Sequence, residues 1–343
     1  MELTMKLVSI FPSRFKKRAV SSAAIAAAAV LALSACSPAA EPIVAESVVA
    51  SVPVSVAFIG ESSATDAVWS LAAGEMRDEA GSLGVDFVDR FAEGDYALQA
   101  RMIDEEVARG VDAIIAPFFD PEVANAAIGR ALEAGVKIYA LLGVPALPEA
   151  QLSQIGSTAA SWNEYGRVLA EITIVQVDDG ASILFPAEFP GASYITDAVI
   201  GFEEYMAEQG FAVKVTVLDA GSDSTISAAR QLSYLTANPD TDAIVSTGSI
   251  AIAAAATAMR QGGLKAGAPP LVGFVTNPQG YQAVVEGYMT TGIWPGLDAI
   301  SRQALRDVVN MVRDDIEPPK RVQPYVLVDS SNAAELIPSG IQR

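Results

Sequence analysis

The sequence predicts an α/β protein with two similar lobes, each built around a parallel β-sheet that is covered by helices on both faces. Short, continuously apolar runs alternate with segments of helical period, a pattern typical of parallel strands joined by helices. The pattern restarts near residue 181. Residues 112–135 and 242–263 also repeat one order: Asp-Ala-Ile, a turn, and an alanine-rich helix that ends at glycine. One long sheet is the alternative, but sheets of about ten strands tend to split.

The individual elements follow from apolar runs and helix-end signals. In the first lobe, strands are predicted at residues 54–60, 85–90, 111–118 and 136–143, and helices at residues 65–84, 95–110 and 121–135. The first helix begins with Thr-Asp and ends at glycine, both of which are typical helix caps. In the second lobe, strands are predicted at residues 181–187 and 211–219, helices at residues 191–210 and 222–239, and a further strand–helix unit from residue 242.

Three chain crossings are expected to join the lobes as a hinge. A polar stretch at residues 157–161 should carry the chain into the second lobe, Trp294-Pro295 should return it, and a segment near Pro324 should cross again. The expected division is a signal peptide at 1–35, a flexible tether at 36–52, an N-terminal lobe at 53–158 plus 296–322, a C-terminal lobe at 159–295 plus 323–330, and a tail at 331–343.

The first 36 residues predict export and a lipid anchor. A basic start is followed by the small, apolar run of residues 19–35, which is typical of a secretory signal. A transmembrane anchor is the alternative, but the run is shorter than the ~20 apolar residues that a spanning helix needs. Cys36, the only cysteine in the chain, follows Leu-Ser-Ala. This stretch resembles the bacterial lipobox, which implies a lipid on the Cys36 thiol; an inert buried cysteine is the alternative.

Composition excludes several classes of function. The net charge is −19, and it becomes −23 without residues 1–35, which hold five basic residues and one acidic residue. Such a charge repels nucleic acid. The chain has no histidine, which excludes Ser-His and Cys-His catalysis and most zinc sites. It also has no glycine-rich phosphate-binding motif. No cofactor or metal is therefore expected. Carboxylate and lysine chemistry stay open, and an enzyme that uses Asp or Glu is the less favoured alternative.

Several segments, in this order and spacing, resemble the type I periplasmic-binding-protein family. They include VSVAFIG, VARGVDAIIAPF, ALEAGVKIYALL, NEYGRVLAE, TDAIVSTGSIAIAAAATAMRQGG and LVGFVTNPQGYQAVVEGYMTTGIW. The resemblance covers about residues 52–329. Within the family, the sequence more narrowly resembles the sugar-binding subunits of bacterial ABC importers in the ribose, autoinducer-2 and rhamnose-binding group. It implies two Rossmann-like lobes with a small sugar-like ligand between them. It also implies a monomer at the extracytoplasmic face of the bacterial cell membrane or in the periplasm, with an ABC permease in the cytoplasmic membrane as its partner. A receptor for a membrane sensor, or a nucleoside or furanosyl ligand, remains an alternative.

The candidate ligand-binding residues are mostly loop residues at strand ends and aromatic residues near the crossings. Aromatic faces stack on the apolar faces of sugars, and an ionised Asp accepts hydrogen bonds from hydroxyls. The candidates are Trp69, Phe118, Trp162, Asn163, Asp197, Thr247, Ser249, Asn277 and Trp294. Weaker candidates are Phe119, Asp120, Glu188 and Tyr194. Core packing is the alternative for the tryptophans, an exposed helix charge for Asp197, and helix capping for Asn277, Thr247 and Ser249.

The chain also departs from the ribose branch of the family. Where that branch has charged or amide groups that grip hydroxyls, this sequence has Leu142-Gly143, Thr196, Val275 and Trp294. Asp197 matches a ligand-binding Asp of the autoinducer-2 and rhamnose branch. These departures predict a ligand that is less polar or smaller than ribose, gripped mainly by Trp294 and Trp69 and oriented by Asp197 and Asn277.

Overall fold

The computed structural model describes residues 53–120 and 122–342. The predicted signal peptide, Cys36 and the predicted tether lie outside the described residues. Within the described part, no helix combines the length and the apolar character that crossing a membrane requires.

The described chain alternates strands and helices from its start. The strands are β1 (Ser55–Gly60), β2 (Asp86–Phe91), β3 (Ala113–Ala116), β4 (Lys137–Leu142), β5 (Gly156–Ala159), β6 (Ala181–Ala187), β7 (Val213–Asp219), β8 (Ala243–Ser246), β9 (Leu271–Phe274), β10 (Met289–Trp294), β11 (Lys320–Val322) and β12 (Val326–Val328). The helices are α1 (Ala67–Leu83), α2 (Tyr96–Arg109), α3 (Asn125–Glu133), α4 (Glu149–Leu152), α5 (Trp162–Ile174), α6 (Ser193–Glu208), α7 (Ser224–Ala237), α8 (Ser249–Gln261), α9 (Pro278–Val285), α10 (Leu297–Arg313) and α11 (Ala333–Leu336).

The strands form two six-stranded sheets. The first has the order β11-β5-β4-β3-β1-β2 and the second β12-β10-β9-β8-β6-β7. Every pair is parallel except β10 with β12. Central strands such as β3 and β9 are buried along their whole length, because helices cover both faces. The edge strand β7 is instead partly exposed throughout. The prediction of two α/β lobes with parallel sheets is confirmed.

The chain passes between the two sheets three times. It leaves the first sheet after β5, returns after β10 through Pro295 and Gly296, and crosses again between β11 and β12. Between the second and third crossings, helix α10 packs on α1 and on strands of the first sheet. These passages carry the chain through the stretches in which the sequence placed its hinge. Residues 331–342, expected to form a tail, include α11 and bury Ala333, Ile337 and Ile341.

Helices α5 and α6 pack through glycine. A Cβ atom added to Gly166 of α5 would overlap the carbonyl oxygen of Ala198, and one added to Gly201 of α6 would overlap the carbonyl oxygen of Asn163. Glycine lets the two helix backbones touch, because it has no side chain to hold them apart. This contact fixes the position of two helices that carry residues of the site described next.

Candidate ligand-binding site

A cavity opens between the two lobes at the carboxyl ends of the parallel strands. The space that the centre of a water-sized molecule can occupy is about 80 Å³, and the whole empty space, which includes open solvent, is about 630 Å³. Glu61 follows β1, Glu188 follows β6, Thr247 follows β8 and Pro295 follows β10, and all four line the cavity. Loops at this edge of an open parallel sheet are the usual place for a ligand. The remaining lining residues are Asp66, Val68, Trp69, Phe119, Leu142, Trp162, Phe189, Tyr194, Ser249, Ile250, Phe274, Thr276, Leu297 and Gln323.

Five of the lining residues form an aromatic cluster: Trp69, Phe119, Trp162, Tyr194 and Phe274. The ring of Trp162 lies 5.9 Å from Phe119, 5.9 Å from Tyr194 and 6.1 Å from Phe274, measured between centroids. Phe119 also lies 6.1 Å from Trp69. Trp69 and Phe119 belong to the first lobe and the other three to the second. The cluster therefore offers apolar ring surface from both lobes to one small molecule.

Glu188 is a buried carboxylate held by the start of α8. Its Oε1 accepts the amide hydrogens of Ile250 at 2.5 Å and Ala251 at 2.9 Å, and its Oε2 accepts the Tyr194 hydroxyl at 3.1 Å. Burial raises the pKa of Glu188, while the two amide bonds oppose that rise. The partial positive charge at a helix N-terminus favours a carboxylate there. Glu188 thus has a structural partner of its own.

Glu61 is a second buried carboxylate, and its surroundings are less favourable. Its Oε2 accepts the Tyr96 hydroxyl at 3.3 Å. Burial, followed by the negative charge of Asp66, raises the pKa of Glu61 well above its ordinary value, and the charge of Glu188 adds to the rise. Asp66 caps α1 by accepting the Val68 amide at 2.9 Å, and burial also raises the pKa of Asp66. The described lining residues include these acids but no lysine or arginine.

Three buried polar atoms on lining residues have no hydrogen-bond partner within the described structure. They are Nε1 of Trp162, Oγ1 of Thr276 and Oε1 of Gln323. The other end of the Gln323 amide donates to the Pro295 carbonyl at 3.3 Å, which fixes the side chain at the third crossing. Buried polar atoms usually find a partner. A ligand in the cavity can supply an acceptor for Trp162, a donor for Gln323 and either for Thr276.

The structure brings four of the sequence-predicted site residues together. Trp69, Trp162, Thr247 and Ser249 all line the cavity. The Thr247 hydroxyl donates to the Tyr194 carbonyl at 2.5 Å. Asn277 lies at the outer opening of the cleft, where its Oδ1 caps α9 by accepting the Gly280 amide at 2.7 Å. The capping alternative for Asn277 is therefore what the structure shows.

The other four predicted residues lie outside the cavity lining. Phe118 packs into the opposite face of the first-lobe sheet, while its neighbour Phe119 lines the cavity. Trp294 is buried in the hydrophobic core, and the next residue, Pro295, reaches the cavity instead. The other two lie on the helices that pack through glycine: Asn163 donates to Glu204 at 3.3 Å, and Asp197 is exposed on α6.

Eleven lining residues were missed as candidates by the sequence analysis, among them the polar or aromatic Glu61, Asp66, Phe274, Thr276 and Gln323. For three of these named residues, the position at the end of a predicted strand was a signal that the sequence offered. Glu61 directly follows the first predicted strand, and Phe274 and Thr276 end and follow the LVGF strand. Phe119, Glu188 and Tyr194, which were weaker candidates, belong to the lining.

Two parallel-sheet lobes with a lined cleft and three crossings define a protein that binds a small molecule by enclosing it. The chain belongs to the periplasmic binding protein domain family, whose model matches residues 56–315. The sequence-based resemblance to this family is confirmed, and so is the prediction of a binding protein rather than an enzyme. A comparison with curated proteins finds no significant match.

Solved structures with the same fold are similar over most of their length. A myo-inositol-binding protein from Caulobacter is 22% identical, with 83% of this chain and 97% of that chain covered and a TM-score of 0.73. A solute-binding protein of an ABC transporter from Agrobacterium vitis, with bound D-fucose, is 19% identical, with 84% of this chain and 100% of that chain covered and a TM-score of 0.75. A periplasmic ribose ABC transporter protein from Conexibacter woesei is 18% identical, with 83% of this chain and 94% of that chain covered and a TM-score of 0.70.

Proposed function

We propose that this protein is an extracytoplasmic receptor that captures a small sugar-like ligand between its lobes and delivers it to an ABC importer. The observation that carries the proposal is the cavity itself, which is lined by an aromatic cluster from both lobes and by three buried polar atoms that have no partner within the described structure. The family and the printed ligands of the similar structures, myo-inositol and D-fucose, support a polyhydroxylated ligand.

Closure of the lobes around the ligand produces the state that a permease would recognise. Trp69 and Phe119 contact the ligand from the first lobe, and Trp162, Tyr194 and Phe274 from the second. A ligand completes these contacts only when the lobes are together, so it shifts the population toward the closed state. Of the predicted residues, Trp69, Trp162, Thr247 and Ser249 keep a direct role in this proposal.

Ligand binding should raise the melting temperature and shrink the protein. A thermal-shift screen against pentoses, deoxyhexoses, polyols, furanosyl compounds and nucleosides would find the ligand, because a compound that binds only the folded state stabilises it. Small-angle scattering with that compound at saturation should then give a smaller radius of gyration than without it. A radius that does not change at saturation would show that the lobes do not close around the ligand.

Lipid attachment at Cys36 is the second part of the proposal. The single cysteine at the end of the predicted signal supports it. Cys36→Ser should abolish incorporation of a clickable fatty acid in growing cells, while Ser34→Ala, a matched change that leaves the thiol in place, should not. Equal labelling of Cys36→Ser and wild type would contradict the anchor.

A further inference from the structure

The charges that line the cavity all have the same sign. Glu61, Asp66 and Glu188 are the only charged residues among the described residues of the lining. The chain as a whole is also strongly acidic. A cleft lined by charges of one sign focuses the potential and concentrates counter-ions. A ligand that enters this cavity therefore meets a strongly negative potential.

Two of these carboxylates accept hydrogen bonds from backbone amides. Glu188 accepts two backbone amides at the start of α8, and Asp66 accepts a backbone amide at the start of α1. Hydrogen bonds from a helix N-terminus supply the partial positive charge that a carboxylate needs. Glu188 and Asp66 therefore have backbone donors at a helix start, although burial still raises the pKa of each.

Glu61 has no such partner. Its side chain is buried, with 6% exposed, and the charged groups that face it are Asp66 and Glu188, both acidic. Its side-chain donors are the Tyr96 hydroxyl, at 3.3 Å near the long end of the hydrogen-bond range, and the Trp69 side chain, and both are neutral. A buried carboxylate is strongly unfavourable unless it takes up a proton or a cation pairs with it. Because the described lining has no lysine or arginine, a cation beside Glu61 would have to come from a ligand.

The aromatic cluster suits an organic cation better than a metal ion. The negative faces of tryptophan and tyrosine rings attract ammonium groups. Hard metal ions instead take several oxygen ligands, and the described residues contain no group of three or more His, Cys, Asp and Glu side chains arranged to hold a metal. Trp162 Nε1, Thr276 Oγ1 and Gln323 Oε1 remain available for hydroxyls. The lining thus matches a molecule with one ammonium group and several hydroxyl groups.

Closure also brings like charges together. Glu61 belongs to the first lobe and Glu188 to the second, and the negative charge of Glu188 contributes to the rise in the pKa of Glu61. Like charges across an interface oppose association. An ammonium group between the lobes removes that opposition, whereas a neutral sugar leaves it in place.

Building on the proposed function, we infer that the ligand is an aminated sugar or polyol and that Glu61 pairs with its ammonium group. This inference narrows the sugar-like ligand to a cationic class. It assigns to Glu61 the selection between an aminated molecule and the same molecule with a hydroxyl at that position.

Calorimetry with matched pairs of compounds tests the inference. The probes are 2-amino-2-deoxyhexoses and aminated inositols, each against its parent hexose or inositol. The aminated member of at least one pair should bind about tenfold or more tightly than its parent. Glu61→Gln should abolish that preference by weakening binding of the aminated compound. The control Glu203→Gln removes an exposed acid of α6 outside the cavity and should leave the preference unchanged.

The outcomes separate the two proposals. If the parents bind as tightly as the aminated compounds, the inference is overturned and the proposed function stands. If neither member of any pair binds, the inference is overturned, and the thermal-shift screen alone decides the proposed function. A preference that survives Glu61→Gln would remove Glu61 from its assigned role.

The pH dependence of wild-type binding gives a second readout that needs no variant. Burial and Asp66 raise the pKa of Glu61, so Glu61 takes up a proton earlier than an ordinary carboxyl as the pH falls. The groups that face it are Asp66, Glu188, Tyr96, Tyr194 and Trp69, none of them basic. As the pH is lowered through the raised pKa of Glu61, the ammonium stays charged while Glu61 is neutralised, so affinity for the aminated compound should fall. A flat or rising affinity over that range would contradict the pairing.

Discussion

Gly166→Ala should lower the free energy of unfolding by about 3 kcal/mol, which corresponds to a fall in melting temperature of about 6–12 °C. The added methyl group would overlap the carbonyl of Ala198, with the Ala198 Cα only 2.9 Å away. All of these atoms are backbone, so no flexible side chain can move aside. Helices α5 and α6 would have to separate. Gly201→Ala meets the Asn163 carbonyl in the same way and should have a similar effect.

The same substitution should weaken ligand binding, because both helices carry rings of the aromatic cluster. Trp162 is the first residue of α5, and Tyr194 lies in the first turn of α6. Their ring centroids are 5.9 Å apart. Separating the helices changes that distance and, with it, the width of the cavity. A loss of stability without a loss of affinity would show that the cluster adapts to the new spacing.

Gly74→Ala is the matched control for the helix contact. Gly74 lies inside α1, and an added Cβ would meet no atom within 4 Å. Alanine restricts the unfolded chain more than glycine and favours helix, so this change should stabilise by about 0.5–1 kcal/mol. Denaturant unfolding of the variants side by side gives the comparison. Equal unfolding free energies for Gly166→Ala and Gly74→Ala would contradict the close packing of α5 on α6.

The sequence predicts the fold well because the signals for it are local. Apolar runs such as residues 54–60 read as buried strands, and the Asp66 cap and the Gly84 end of α1 both occur where helix signals stood. The two sheets follow from the repeat of strand–helix units. The crossings follow from interruptions in that repeat, of which Trp294-Pro295 is the clearest.

The site was harder to predict because it depends on which way each side chain points. Residues in buried parallel strands are apolar on both faces, so the sequence does not mark the face that meets the cleft. Phe118 and Phe119 are adjacent and equally aromatic, yet only Phe119 lines the cavity. Trp294 and Pro295 are likewise adjacent, yet Trp294 is buried in the core and only Pro295 lines the cavity. Glu61 follows an apolar strand directly, and nothing in its neighbours indicates that it is buried.

Trp162→Ala should weaken binding of the tightest compound from the screen by about 2–4 kcal/mol, which is thirtyfold or more. Trp162 touches three other rings of the aromatic cluster and joins the two lobes at the first crossing. Its Nε1 is buried and has no partner within the described structure. Removing the side chain therefore removes ring contact area and one hydrogen-bond donor together. Calorimetry on the folded variant, checked by circular dichroism, measures the loss.

Trp162→Phe separates the ring from the donor. Phenylalanine keeps an aromatic face but has no N–H group, so the part of the loss that remains in this variant reports the hydrogen bond, about 1 kcal/mol for a neutral donor. Trp294→Phe is the matched control, because Trp294 is buried in the hydrophobic core and lies outside the cavity lining. It should lower the melting temperature through lost packing and leave affinity within about threefold of wild type. If Trp294→Phe instead weakens binding as much as Trp162→Ala does, the ligand reaches the second crossing, and Trp294 has the gripping role that the sequence first predicted for it.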